Sequence, residues 1–232
     1  KRKRRCLINR DYIIFDFETG SRNPNKTQPT QIAALALDGR NLKLKGQFNS
    51  EIKPVLDDEK AISLGLDPIE DEALKITHKT REQLENAPTV KVVWNKFIKF
   101  VGQYNWKNDP FYAPIPVGFN ILGFDMIIID RLCREYGPWD KDREKQKLFS
   151  RVYKFDIMDN IFAWTEGDPS IKSISMDSLR DIMGLSKENA HDALQDVKDE
   201  ANIFIKLMKT HRAVYQNMNF EKAFANKELY VK

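Results

Sequence analysis

Four acidic residues and one histidine stand out by type and order: Asp16 and Glu18 in YIIFDFETG, Asp125 in VGFNILGFD, and His191 with Asp196 in HDALQD. Side chains two apart on a strand share a face, so Asp16 and Glu18 project together while Ile13, Phe15 and Phe17 face the other way. Two adjacent carboxylates repel unless a cation lies between them. Mg²⁺ and Mn²⁺ favour such oxygen ligands and keep positions for water and phosphate. Asp125 precedes the apolar run Met126 to Ile129, a placement that a helix N-terminus alone would explain. His191 and Asp196 are five apart and so off one helix face, which puts His191 on the loop entering the helix that carries Asp196. An imidazole there, with an ordinary pKa of about 6.5, can accept a proton near neutral pH. Asp196 lies near an apolar stripe where an unpaired carboxylate is costly, and a bound metal removes that cost. Read singly, each fragment also has a plain explanation: a polar strand end, a helix start, a surface histidine.

These residues need a scaffold that gathers them. Residues 11–17 (DYIIFDF) read as a buried central strand, followed by strands over 30–37 and 42–52 in a meander broken at Asp38-Gly39. Beyond Pro54 the pattern turns helical. Short helices are expected over 63–74 and 80–84, and a longer one over 90–101 started by Pro88 or Thr89. Residues 105–116 read as a loop, 117–120 as a strand end, and 124–136 as a helix halted at Gly137-Pro138. The charged stretch 139–146 reads as an exposed connector and 151–157 as a strand leading into a helix near Asp156. Two more helices follow, 177–183 closed by Gly184 and 192–209 with an apolar stripe through Leu194, Val197, Ala201, Phe204, Ile205 and Met208. Strands first and helices later give an α/β sheet flanked by helices.

Composition excludes several alternatives. The 232 residues are 41% hydrophobic, with fourteen Phe, seven Tyr and four Trp, ample for a core. Two cysteines, Cys6 and Cys133, show neither zinc-ligand nor disulfide-framework spacing, which points to a reducing, intracellular compartment, cytoplasmic or nuclear. No apolar run is long enough for a membrane helix, and the basic start lacks the apolar stretch of a signal peptide. The chain opens on Lys rather than Met, as expected of a piece of a longer protein. Of the net charge of +4, much comes from residues 1–5 (KRKRR), read as a solvated arm or, alternatively, as a nuclear-import or nucleic-acid contact segment. An acidic centre on a mildly basic chain suits a polyanionic substrate.

Taken in order, F-D-x-E-T, N-x-x-x-F-D and H-x-x-x-x-D resemble the three motifs of the DEDDh (DnaQ-like) 3′→5′ exonucleases. QIAALALD, EIKP, ITHKTREQL, NAPT and SMDSLRDIMGL extend the likeness over residues 11–208. The resemblance implies a ribonuclease-H-like fold with a mixed five-stranded sheet and two Mg²⁺ or Mn²⁺ ions. It implies that Asp16 bridges both ions, that Glu18 and Asp196 complete one site, that Asp125 supports the second largely through water, and that His191 is the general base. In that two-metal scheme the ions clamp the scissile phosphate between attacking water and leaving 3′ oxygen. Nucleoside monophosphates would be released from single-stranded 3′ ends, of DNA rather than RNA. Phe17, Thr19, Phe119 and Asn120 are the candidate contacts to the terminal nucleotide, Phe17 being equally a core residue. The organisation implied is a basic arm over 1–10, an exonuclease domain over 11–209 and a helical tail over 210–232. A polymerase or repair partner fits the family, and the oligomeric state is open. Many relatives carry His-Asn where this chain has Gly118-Phe119-Asn120, which is similar to the G-x-N form of larger single-strand exonucleases. The alternatives are the same activity on RNA, a nucleic-acid binding module of weak catalysis, and a phosphohydrolase of small monoesters.

Overall fold

The computed structural model describes residues 10–186 and 192–218. β1 (Tyr12–Thr19) is the apolar run around Asp16, and it pairs antiparallel with β2 (Pro29–Leu37), placing Asp16 opposite Ala33 and Glu18 opposite Gln31. β3 (Leu44–Glu51) adds antiparallel to β2. On the other side, β4 (Ile115–Gly118) and β7 (Phe155–Asp156) join in parallel, giving the order β3-β2-β1-β4-β7. This is the expected mixed five-stranded sheet. β1, β4 and β7 run parallel, so their carboxyl ends meet at one end of the sheet, where open α/β sheets place their ligands.

Helices cover both faces. Between β3 and β4 the chain forms α1 (Asp58–Ser63), α2 (Asp71–Ile76), α3 (Arg81–Glu85) and α4 (Val90–Gly102). α5 (Asp125–Tyr136) follows β4; α6 (Ile157–Thr165), α7 (Met176–Met183) and α8 (Ala193–Asn217) follow β7. Strand parity sorts the core. Ile13, Phe15, Phe17, Ile32, Ala34 and Ala36 pack on Val93, Trp94 and Phe97 of α4 and Ile128 and Ile129 of α5. Ile14, Ala33, Leu35 and Val117 face Val197, Ala201 and Phe204 of α8, with Ile157 of α6 and Leu179 of α7. Phe15 stacks on Phe149 at 5.2 Å between ring centres, and a fully buried Phe contributes roughly 1.5–3 kcal/mol. The alanines of β2 let helices approach both faces of the central strands. None of the described helices is long and apolar enough to cross a membrane.

Five expectations are corrected. Residues 63–74 are not one helix: α1 closes through Gly65 in the left-handed region (φ +74), and the chain passes Pro68 before α2 begins. The charged stretch 139–146 folds back as a hairpin, β5 (Trp139–Asp140) on β6 (Lys145–Gln146), with the Arg134 guanidinium 4.9 Å over the Trp139 ring. The strand expected over 151–157 is confined to two residues, because the Asp156 carboxylate accepts from Met158 N–H and starts α6 at once. β4 opens at Ile115, within the stretch read as a loop. The last helix runs past Lys209 to Asn217. His191, the arm over 1–9 and the tail from 219 lie outside the described residues.

Candidate metal centre

Asp16 and Glu18 lie near the carboxyl end of β1, on the α8 side of the sheet, as their parity requires. Asp196 joins them from the first turn of α8, whose start is fixed by Asp192: its carboxylate accepts from Leu194 and Gln195 N–H at 3.1 and 3.2 Å. One carboxylate oxygen from each of Asp16, Glu18 and Asp196 lies within 4.8 Å of the others. Asp125 stands outside this trio. It opens α5, is 3% exposed, and its Oδ1 accepts from the N–H of Phe17 at 3.2 Å, which ties α5 to the backbone between the two β1 acids.

The remaining motif residues form the rim. Gly118 allows the tight turn after β4: a Cβ there would lie 2.1 Å from Ile121 Cγ2 and 3.0 Å from the Phe15 carbonyl. Phe119 is half-buried against the α8-side core. Asn120 is exposed at φ +55, held by the Asp156 carboxylate, which accepts from Asn120 N–H at 2.9 Å and Leu122 N–H at 3.1 Å. Thr19 is half-buried, donates to the Ser21 carbonyl at 3.0 Å, and lines a cavity of about 210 Å³ with Glu18, Arg22, Thr77 and Phe124. The Phe17 ring is buried in the α4–α5 core, so its contribution at the site is its backbone N–H.

Burial and crowding make these carboxyl groups hard to ionise. Asp16 is pushed up to about 7, first by burial and then by Asp196. Glu18 is pushed up to about 9, by burial, then by Asp16 and Asp196, with Lys79 acting against the rise. Asp125 is raised well above the usual range by burial, then by Asp16. An all-carboxylate donor set whose charged form is opposed by burial and by its own members fits hard divalent cations, which offset both.

Residues 13–112 match the RNase_T family model, described as an exonuclease. The matched segment carries Asp16 and Glu18 and ends before Asp125, His191 and Asp196. No curated protein matches the sequence. Among solved structures, the fold is similar to cell-death related nuclease 4 (CRN-4), at TM-score 0.63 and 19% identity over 86% of this chain and 64% of that one. It is similar to E. coli exonuclease I solved in complex with a dA16 oligonucleotide, at TM-score 0.64 and 19% identity over 87% and 41% of the two chains. Exonuclease I from Methylocaldum szegediense gives TM-score 0.62 and 21% identity over 94% and 43%. This chain spans less than two thirds of the length of each.

Three residues escape a motif reading. Arg180 of α7, 1% exposed, donates to Asp196 at 2.5 Å, Asp199 at 2.9 Å and Asp177 at 3.1 Å. Lys79, 8% exposed, donates to Gln31 Oε1 at 2.6 Å, and Gln31 in turn donates to Asp192 at 3.2 Å. Glu200, one turn after Asp196, is buried, and its Oε1 accepts from Phe119 N–H at 3.3 Å. Only Glu200 had a signal. Ala193, Val197, Glu200, Phe204 and Leu207 recur at four- and three-residue steps, so an acid occupies a core position of the stripe.

Proposed function

We propose that the protein is a metal-dependent 3′→5′ exonuclease that releases nucleoside monophosphates from single-stranded ends, with DNA as the preferred substrate. The observation that carries this reading is the Asp16, Glu18 and Asp196 trio, gathered within 4.8 Å at the carboxyl end of the sheet in a chain whose matched segment is an exonuclease family. The DNA preference is supported by the fold's likeness to an exonuclease solved with a dA16 oligonucleotide.

Asp16, Glu18 and Asp196 would hold two Mg²⁺ or Mn²⁺ ions, with Asp125 supporting them from α5. The ions, when bound, activate the attacking water and neutralise charge on the scissile phosphate. The chain supplies the rest. Asp192 fixes the helix start that presents Asp196, and Arg180 holds the Asp196 carboxylate. His191, in the motif position of the general base, takes the proton of the attacking water. Phe119, Asn120 and Thr19 flank the terminal nucleotide, where an aromatic face grips a base without reading its identity. A polymerase or repair assembly is the kind of partner such an activity serves.

The test is degradation of 5′-labelled single-stranded DNA, duplex DNA and RNA in parallel, with Mg²⁺ or Mn²⁺. A ladder shortening from the 3′ end, fastest on single-stranded DNA and lost in Asp16→Asn, is expected. Oligonucleotide binding without products would overturn catalysis, and a faster RNA ladder would overturn the DNA preference.

A further inference from the structure

Glu200 is 2% exposed, and the structure gives it little reason to be an acid. Its Oε1 accepts one backbone N–H, from Phe119. Its Oε2, fully enclosed, has no hydrogen-bond partner among the described residues, and no Lys, Arg or His among them forms an ion pair with it. The charges that bear on it most are of its own sign, those of Asp16, Asp125 and Asp196. Asp196 and Glu200 are four apart on α8, so both project from one helix face toward the β1 acids. A buried polar atom normally has a partner, and a buried carboxyl among carboxylates is tolerated where a cation joins them. A glutamine would accept the Phe119 N–H equally well without that electrostatic burden.

We propose that Glu200 is a fifth carboxylate of the metal centre, supporting from α8 the divalent ions held by Asp16, Glu18, Asp196 and Asp125, while its other oxygen fixes the turn at Phe119. This rests on the metal-dependent reading above and adds an acid beyond the four that the motif resemblance supplies. Glu200 acts through the ions and their ligands, so it is a positioning residue rather than a catalytic one.

The test is calorimetric titration of the full chain with Mn²⁺, comparing the parent with Glu200→Gln and Glu200→Met, alongside the Mn²⁺ dependence of oligonucleotide degradation. Outer partners of metal ligands change affinity by about 10–100-fold. Glu200→Gln is therefore expected to keep its melting temperature without metal, to bind Mn²⁺ at least about tenfold more weakly, and to need correspondingly more Mn²⁺ for half-maximal rate, with the oligonucleotide KM at saturating Mn²⁺ unchanged. Mn²⁺ affinity within twofold of the parent in either folded variant overturns the proposal. Failure of both variants to fold assigns Glu200 to structure alone and overturns it too. A parent that binds Mn²⁺ but degrades no oligonucleotide defeats the nuclease reading, and the calorimetry still decides Glu200. A parent that binds no Mn²⁺ defeats both.

Discussion

Arg180 on α7 donates to Asp196 on α8 at 2.5 Å, so one carboxylate of the candidate metal centre is held by a guanidinium from a neighbouring helix. The same guanidinium reaches Asp199 through Nε and Asp177 through Nη1, and almost none of the side chain meets solvent. Removing one partner of a buried ion pair leaves uncompensated charge, at about 3–5 kcal/mol. Arg180→Met is expected to lose about 3 kcal/mol in urea unfolding and to need more Mn²⁺ for the same rate. Arg180→Lys should recover only part of both, since one ammonium cannot reproduce the fork. Unchanged unfolding midpoints in Arg180→Met would show that the network contributes no net stability.

The raised carboxyls give stability a pH dependence with a definite sign. Asp16 moves from an ordinary 3.8 to about 7 and Glu18 from 4.5 to about 9, so between about pH 4 and pH 9 the folded chain holds more protons than the unfolded one. Stability contributed by these groups is then fully present below about pH 4 and is lost as pH rises through 7 and 9. With chelator present, the melting temperature is expected to decline across that window. Mn²⁺, bound best by the ionised carboxylates, should flatten the decline, and Glu18→Gln should shrink both effects. A melting temperature that climbs from pH 6 to pH 9 without metal would contradict these shifts.

Gly118→Ala tests the close approach at the end of β4. The added methyl would overlap Ile121 and press on the Phe15 carbonyl, and overpacking of this kind costs about 1–3 kcal/mol. The turn also sets the Phe119 N–H that Glu200 accepts, so the substitution is expected to lower oligonucleotide turnover more than its stability loss explains. Thermal melting and rate measured on the same preparation separate the two effects.

What could be read from the chain follows from which signals are local. The parity of Ile13, Phe15 and Phe17 against Asp16 and Glu18 is fixed by strand geometry, and it gave the correct layering of the core. The helices starting at Val90, Asp125 and Met176 were legible from caps and breakers such as Thr89, Gly137-Pro138 and Gly184. The hairpin at Trp139 was not, because its partner strands are two residues long and carry charges that read as solvated loop. Arg180 and Lys79 were equally hidden. A cation at a core position is indistinguishable in sequence from one on a surface face until the acids that surround it are placed. The short helix expected over residues 63–74 is interrupted at Gly65, whose left-handed φ ends α1.

Asp156 holds the Asn120 turn, and its removal should separate substrate binding from metal chemistry. Its carboxylate accepts from Asn120, Leu122 and Met158 N–H at 2.9, 3.1 and 3.0 Å, serving the turn and the start of α6 together. Asp156→Ala abandons all three, and with a lost N-cap worth about 1 kcal/mol and two charged-acceptor bonds of about 1.5 kcal/mol or more each beyond it, about 4 kcal/mol of stability should go. Asp156→Asn keeps one acceptor oxygen and should lose less. Because the turn carries Phe119 and Asn120, the proposed nucleotide contacts, Asp156→Asn is expected to raise the oligonucleotide KM several-fold while leaving the Mn²⁺ requirement unchanged. Asn120→Ala probes the same turn from its backbone. Its positive φ costs an ordinary residue about 1–2 kcal/mol, which Asn120→Gly should avoid. If Asn120→Gly restores stability but not KM, the Asn120 side chain itself meets substrate. If it restores both, the turn matters only as a support for Phe119.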